Sequence, residues 1–231
     1  SAASDVYKRQ ELDLSGGGAF SEQLALGVKA LAAGLSRCVS VNHPDRGSFT
    51  LWDTHADNDF QQSMLFEDLF SHLLDLQQTL AATPGVVAST LAEEVVVVVL
   101  SEMGRTPTLN TSGGKDHWPY TSALALGPGI AGDQVIGGFD SDQIGYRVDA
   151  ASGEIDEGGL LMGQETLGAT LMQAAGISPE EAGYEGELID ALLALRPRNP
   201  EEAPVEIERL ARVEERIEMG LFREVAHPRL H

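Results

Sequence analysis

Six consecutive apolar residues, Val95 to Leu100, five of them valine, constrain this chain more than any other feature. Valine is stiff at its branched Cβ, which disfavours a helix and suits the pleated surface of a strand. With no polar position in the run, neither face is prepared for water, so it predicts a strand buried on both faces, as in a parallel sheet. A bilayer span needs about 20 apolar residues. No membrane span is therefore expected from this stretch.

The segments around it alternate in type. Phe20, Leu24, Val28, Leu31 and Leu35 recur every three or four residues, which predicts an amphipathic helix over Phe20 to Leu35 with Ser21 as its cap and Gly34 near its end. Cys38 to Val41 and Phe49 to Trp52 read as strand material around a His43-Pro44-Asp45-Arg46-Gly47 turn. Phe66, Leu69, Phe70, Leu73, Leu76 and Leu80 predict a second helix from Ser63 to Leu80, stopped by Pro84-Gly85. Ser122 to Leu126 and Gln134 to Ile136 are weaker strand candidates, and Glu165 to Ala175 is a short helix. The expectation is an α/β fold of three layers with a mostly parallel sheet and one core, spanning 11–176.

Both ends read differently. Residues 1–10 resemble the translated adapter of a sequencing library and are set apart as a non-native segment, which predicts a fragment lacking its true N-terminal part; a plain disordered start is the alternative. Residues 177–231 hold 13 acidic side chains against 7 arginines and are broken by Pro197, Pro200 and Pro204, which predicts an acidic helical tail. Over the whole chain 36 acidic residues oppose 15 lysines and arginines, a net charge of −21 that repels phosphate backbones and anionic lipid. Nucleic acid and membrane surfaces are thus not expected partners. The one cysteine, Cys38, leaves no internal disulfide and no cysteine-rich metal site.

In open α/β sheets ligands bind beyond the carboxyl ends of the strands, and three clusters stand at such places. The first is Trp52-Asp53-Thr54-His55, with Asp57 and Asp59 close behind. In an extended segment residues two apart share a side, so Asp53 and His55 can offer an oxygen and an imidazole to one metal ion. The plainer alternative is an Asp that caps the next helix beside a His bonded to backbone. The second cluster is Ser101-Glu102-Met103-Gly104-Arg105-Thr106-Pro107. A carboxylate at the end of a buried strand is costly unless paired or metal-bound, and Arg105 is a planar donor suited to a tetrahedral oxyanion. A Glu102–Arg105 ion pair that only closes the loop is the alternative. The third is Gly113-Gly114-Lys115-Asp116-His117-Trp118-Pro119-Tyr120, where Asp116 and His117 are candidate ligands and a surface loop with an aromatic anchor is the alternative.

Other patterns carry less. Gly127-Pro128-Gly129-Ile130-Ala131-Gly132 has dinucleotide-loop spacing, but no helix opens after it to receive a pyrophosphate. Asn110-Thr111-Ser112 is a formal glycosylation sequon without supporting context. His43, His72, His227 and His231 are expected to be solvated or incidental.

The succession Trp-Asp-Thr-His, helix, valine strand with Ser-Glu-Met-Gly-Arg-Thr-Pro, then Gly-Gly-Lys-Asp-His-Trp-Pro-Tyr resembles the domain-of-unknown-function family numbered 1501, over about residues 18–176. That family is related to sulfatases and alkaline phosphatases, and many members carry a twin-arginine export signal. The resemblance implies an alkaline-phosphatase-like fold whose N-terminal part, with the nucleophile, lies outside this chain. It also implies a periplasmic or otherwise exported location, a divalent metal of the Zn, Mn, Mg or Ca type, and a phosphate- or sulfate-ester substrate. Asp53 and His55 resemble the ligands of one metal, and His117 a late third histidine. Glu102 sits where relatives bind a second metal through an Asp-His pair, but Met103 stands in place of that histidine. Three arrangements stay open: Glu102 alone serves a second metal, Asp116 and His117 replace the pair, or one metal binds. A catalytically silent exported binding or assembly module that kept the fold is the alternative function. Oligomeric state is not readable from the sequence.

Overall fold

The computed structural model describes residues 19–44 and 51–194. The candidate strand at Phe49 lies partly outside them, as do residues 1–10 and the chain beyond residue 194. Among the described residues three α-helices and two short antiparallel ladders form a mixed α/β structure.

Helix α1 (Ala19–Ala32) buries Phe20, Ala25 and Val28 on one stripe, with Glu22 and Lys29 placed to complement its dipole. It stops short of the predicted Leu35 because Gly34 takes a left-handed φ of 64°, so that the Gly34 N–H turns to the Leu31 carbonyl and the Leu35 N–H to that of Ala30. Helix α2 (Asn58–Ala82) buries Leu65, Leu69, Leu73 and Leu80, spaced four and seven apart. It begins five residues before the predicted Ser63. Phe66 and Phe70, expected in the core, are 44% and 54% exposed and stack on each other instead.

The valine run pairs differently from expectation. Strand β1 (Val97–Leu100) runs antiparallel to β4 (Ala123–Leu126), with Val97 opposite Leu126 and Leu100 opposite Ala123. Further along the same arms β2 (Gly104–Arg105) pairs with β3 (His117–Trp118), again antiparallel. The arms form one long broken hairpin, not a strand flanked by parallel neighbours. Four steps separate Leu100 from Gly104 but five separate Trp118 from Ala123, so one extra residue interrupts the ladder around Pro119, which has no N–H to donate. Val97 and Val99 face the helices and pack on Phe20, Leu69 and Leu73, while Val96 and Val98 are half-buried without joining that cluster and Leu100 is exposed. Five identical residues hide the alternation that would have announced this.

Cys38 to Val41 and Gln134 to Ile136 form no strand. Ser122 to Leu126 does form one, and the short helix appears as α3 (Gln164–Ala174). The first part of the expected tail, residues 177–194, is docked rather than appended. Ile189 is buried and its N–H donates to the Thr170 hydroxyl of α3, while the Ala131 N–H donates to the Leu192 carbonyl and the Ala194 N–H to that of Gly129. Among the described residues no helix is long and apolar enough to cross a membrane.

His43 and His72, expected to be incidental, tie the two long helices together. Ser21 of α1 bonds to His72 Nε2 at 2.9 Å, His43 Nε2 reaches Asp68 at 3.1 Å, and Trp52 donates to His43 Nδ1. Phe20 lies edge-on to both imidazoles.

Candidate metal centre

The hairpin tip and the segment entering α2 are clasped together, and that clasp builds the site. Ala56 forms a bridge with Gly113, the Lys115 N–H donates to the Thr54 carbonyl at 2.9 Å, and the Asn58 N–H donates to that of Gly113 at 3.0 Å. The first turn of α2 grips the same segment. Gln61 bonds the Leu51 N–H and the Ala56 carbonyl, and Gln62 donates to Thr54, which is fully buried and bonds Asn58. Every buried backbone group committed this way resists being moved, because exposing it unpaired costs about 1–3 kcal/mol.

With Thr54 turned inward, Asp53 and His55 project outward. They meet because the segment is folded and not, as the spacing suggested, extended: the His55 N–H returns to the Asp53 carbonyl at 2.9 Å and the Thr54 N–H to that of Trp52. His117 joins them from β3, directly opposite Arg105. His55 Nε2 lies 3.1 Å from Asp53 Oδ1 and 3.2 Å from His117 Nε2, and the third side, His117 Nε2 to Asp53 Oδ1, is 3.4 Å. All three side chains are about half exposed.

Such a triangle suits a small divalent cation. Tetrahedral ligands about 2.0–2.1 Å from an ion stand roughly 3.3–3.4 Å from one another. The donor chemistry agrees. His55 has a carboxylate at each ring nitrogen, Nδ1 lying 3.2 Å from Asp116 Oδ1 and Nε2 3.1 Å from Asp53 Oδ1, so the contacts alone do not place the ring proton. Nε2 is the nitrogen that points at Asp53 and His117, and a cation held there would take its lone pair and leave the ring proton on Nδ1 for Asp116 to accept. Two imidazoles and one carboxylate leave at least one coordination position for water or substrate.

Asp116 is thus placed behind His55 rather than among the converging atoms. Glu102 is exposed and joins no group of three convergent ligand side chains among the described residues, so the desolvation argument made for it does not apply. Arg105 pairs with Asp53 and not with Glu102: its Nη2 donates to Asp53 Oδ1 at 2.7 Å and to the Trp52 carbonyl at 3.1 Å, and Nη1 to that of Lys115. That bond, first of all, and a further one from His117 hold the Asp53 carboxyl below the usual carboxylate range against the opposing effect of burial. Asp53 caps no helix, since α2 opens at Asp57 with no side-chain cap. The aromatic anchor expected of the third cluster is present as well, Trp118 donating to the Gln143 carbonyl at 2.8 Å.

Sequence reasoning missed Asn110, whose side chain joins the two halves of the site, and the Thr54–Asn58–Gln62 clasp beneath it. The sequon was the sole signal at Asn110, and it pointed to a different chemistry.

Fold and site together define a mixed α/β protein with an exposed carboxylate–histidine group between a helix entry and a hairpin tip. The chain belongs to the family described as protein of unknown function (DUF1501), whose model matches residues 2–185. The matched span begins within the first ten residues and runs into the docked part of the tail. No curated protein and no solved structure matches the chain.

Proposed function

We propose that this chain carries the metal-binding part of a metal-dependent hydrolase of phosphate or sulfate esters. The observation behind the reading is the triangle of Asp53 Oδ1, His55 Nε2 and His117 Nε2, 3.1 to 3.4 Å on each side. Asp53, His55 and His117 would hold one divalent cation, of which Zn suits the nitrogen-rich set best. Such an ion supplies Lewis acidity to an ester oxygen and lowers the pKa of a bound nucleophile. The chain's own part is orientation. Asp116 would accept the Nδ1 proton of His55 once Nε2 holds the ion, and Arg105 keeps Asp53 ionised and aimed while its charge favours an anionic ester nearby. A three-layer alkaline-phosphatase-like sheet and export from the cytoplasm belong to the same proposal and rest on the family's relation to sulfatases and alkaline phosphatases.

Metal analysis of the purified protein and hydrolysis of aryl phosphates and aryl sulfates test the reading. Stoichiometric Zn, Mn, Mg or Ca with turnover is the expected result; no metal and no turnover would overturn it. One observation favours a silent metal-binding module instead. The Arg105 guanidinium is engaged by Asp53 and two carbonyls, which suits holding a site together better than receiving a developing charge. Under that reading His55→Ala and His117→Ala lower the melting temperature in the presence of metal, and no ester is turned over by the parent protein.

A further inference from the structure

Trp52, the residue before Asp53, is fixed at both of its ends. Its carbonyl accepts donors from three directions: the Thr54 N–H of its own turn at 3.0 Å, Arg105 Nη2 of β2 at 3.1 Å and Gln62 Nε2 of α2 at 3.3 Å. Its indole packs on the cluster of Phe20, Leu69 and Leu73 and stands edge-on to Phe66, the ring centroids 5.1 Å apart. There the indole Nε1–H donates to His43 Nδ1 at 3.0 Å, and His43 Nε2 faces Asp68 Oδ2 of α2 at 3.1 Å. The His43 side chain is only 10% exposed, with Phe20 of α1 edge-on to its ring at 4.5 Å.

We infer that His43 is a positioning residue of the candidate centre: it holds the Trp52 indole at one orientation between α1 and α2, and so fixes the backbone from which Asp53 and His55 project. The protons give the contact its direction. An indole N–H only donates and an ionised carboxylate only accepts, so Nδ1 offers its lone pair to Trp52 and the ring proton stands on Nε2, towards Asp68. Apolar packing on Leu69 and Leu73 is non-directional and does not by itself set the angle of the indole. The bond to Nδ1 sets it, and the Trp52 carbonyl, carried on the same residue, follows. Thr54 takes its place from that carbonyl through its own N–H, and Arg105 through the Nη2 that also bonds Asp53 Oδ1 at 2.7 Å. The inference rests on reading Asp53, His55 and His117 as ion ligands, but the seating of the turn does not need the ion.

Three variants of the full chain test it. His43→Phe keeps a ring against Phe20 and loses both bonds. His43→Gln keeps an oxygen for Trp52 and an N–H for Asp68, and Trp52→Phe keeps an aromatic ring in the cluster but removes the donor. Hydrogen exchange in the metal-free protein reads the turn at the Thr54 and Lys115 amides, which donate to the Trp52 and Thr54 carbonyls, against the Leu69 and Leu73 amides of α2 as the measure of the helix pair. The visible absorption of added Co²⁺ reads the centre. In His43→Phe and Trp52→Phe the Thr54 and Lys115 amides should exchange about 10-fold faster relative to Leu69 and Leu73, and the Co²⁺ dissociation constant should rise about 10-fold, the scale of one lost bond behind a ligand. His43→Gln should restore both towards the parent values. Equal acceleration at all four amides with Co²⁺ affinity unchanged would show that His43 only braces the helices, and would overturn the inference. If His43→Phe does not fold, Trp52→Phe and His43→Gln carry the same comparison. A parent chain that takes up no Co²⁺ overturns the metal reading, and the exchange ratios then decide the positioning role alone.

Discussion

His55 Nδ1 stands 3.2 Å from Asp116 Oδ1, while Nε2 of the same ring faces Asp53 at 3.1 Å. The imidazole is therefore held between two carboxylates, and under the metal reading Asp116 would accept its proton while Asp53 stands beside it as a fellow ligand. Asp116→Asn keeps an acceptor but loses the charge that makes the acceptor obligatory, and Asp116→Ala removes both. Metal affinity should fall about 10-fold in the first and nearer 100-fold in the second. Competition against a chromophoric chelator measures it, and equal affinities across the three proteins would show that Asp116 is a bystander.

Arg105 offers a second test of orientation. Its planar fork reaches Asp53, the Trp52 carbonyl and the Lys115 carbonyl at once, which a single ammonium cannot do. Arg105→Lys keeps the charge and loses the fork. The expected result is weaker metal binding, about 10-fold or more, with folding intact by circular dichroism. If affinity holds and only ester turnover falls, the guanidinium acts on substrate and not on Asp53.

How legible the protein was depended on which physical signal each feature used. α1 and its end could be read because a 3.6-residue stripe and a glycine at the left-handed position are local properties of Phe20 to Gly34. The pairing partner of Val95 to Leu100 could not. Burial on one face or two looks the same in a run of identical residues, and an antiparallel return from Ala123 is a tertiary fact. Asp53, His55 and His117 were legible as residue types that bind cations, but the turn that brings the first two together was not. Glu102 was drawn into the candidate set by a burial that the exposed strand end does not have. Asn110 left no chemical trace in the sequence, because a side-chain amide has no preferred partner until the fold brings one.

Asp149 gives the chain a pH dependence that involves none of the residues of the candidate centre. Its Oδ1 accepts the Ser152 N–H at 2.8 Å, the Ser152 hydroxyl at 2.9 Å and the Ala151 N–H at 3.2 Å. These bonds, the Ser152 N–H foremost, hold its carboxyl below the ordinary value of 3.8. A carboxylate depressed in the folded state stabilises its turn fully above that ordinary value, and the contribution is lost as pH falls through the lowered one. The turn from Asp149 to Glu154 should therefore survive at pH 4 and loosen only in stronger acid. A carbon-13 titration of the Asp149 carboxyl checks this. Ser152→Ala should move the midpoint up towards 3.8 without reaching it, since the backbone donors remain. A midpoint already at 3.8 in the parent chain would refute the assignment.

The two glycines at the hairpin tip are adjacent but needed for different reasons, so alanine at each should give different results. Gly113 has a left-handed φ of 68° with open space where a Cβ would go. Alanine there pays only the strain of that conformation, about 1–2 kcal/mol, and leaves the clasp in place. Gly114 has no left-handed φ, but a Cβ on it would run into the His55 carbonyl group and the Ala56 nitrogen. Those atoms are backbone, fixed by the Ala56–Gly113 bridge and by Lys115 donating to Thr54, so they cannot swing aside as a side chain would. The tip must lift off the segment entering α2, which separates His117 from Asp53 and His55. Gly114→Ala should therefore cost at least the 1–3 kcal/mol typical of overpacking and abolish metal binding, whereas Gly113→Ala should lose a comparable amount of stability at most and still bind. Denaturant midpoints and Co²⁺ titrations of the two proteins measure both quantities. Tight binding by Gly114→Ala would mean that the approach of the tip to His55 does not build the centre.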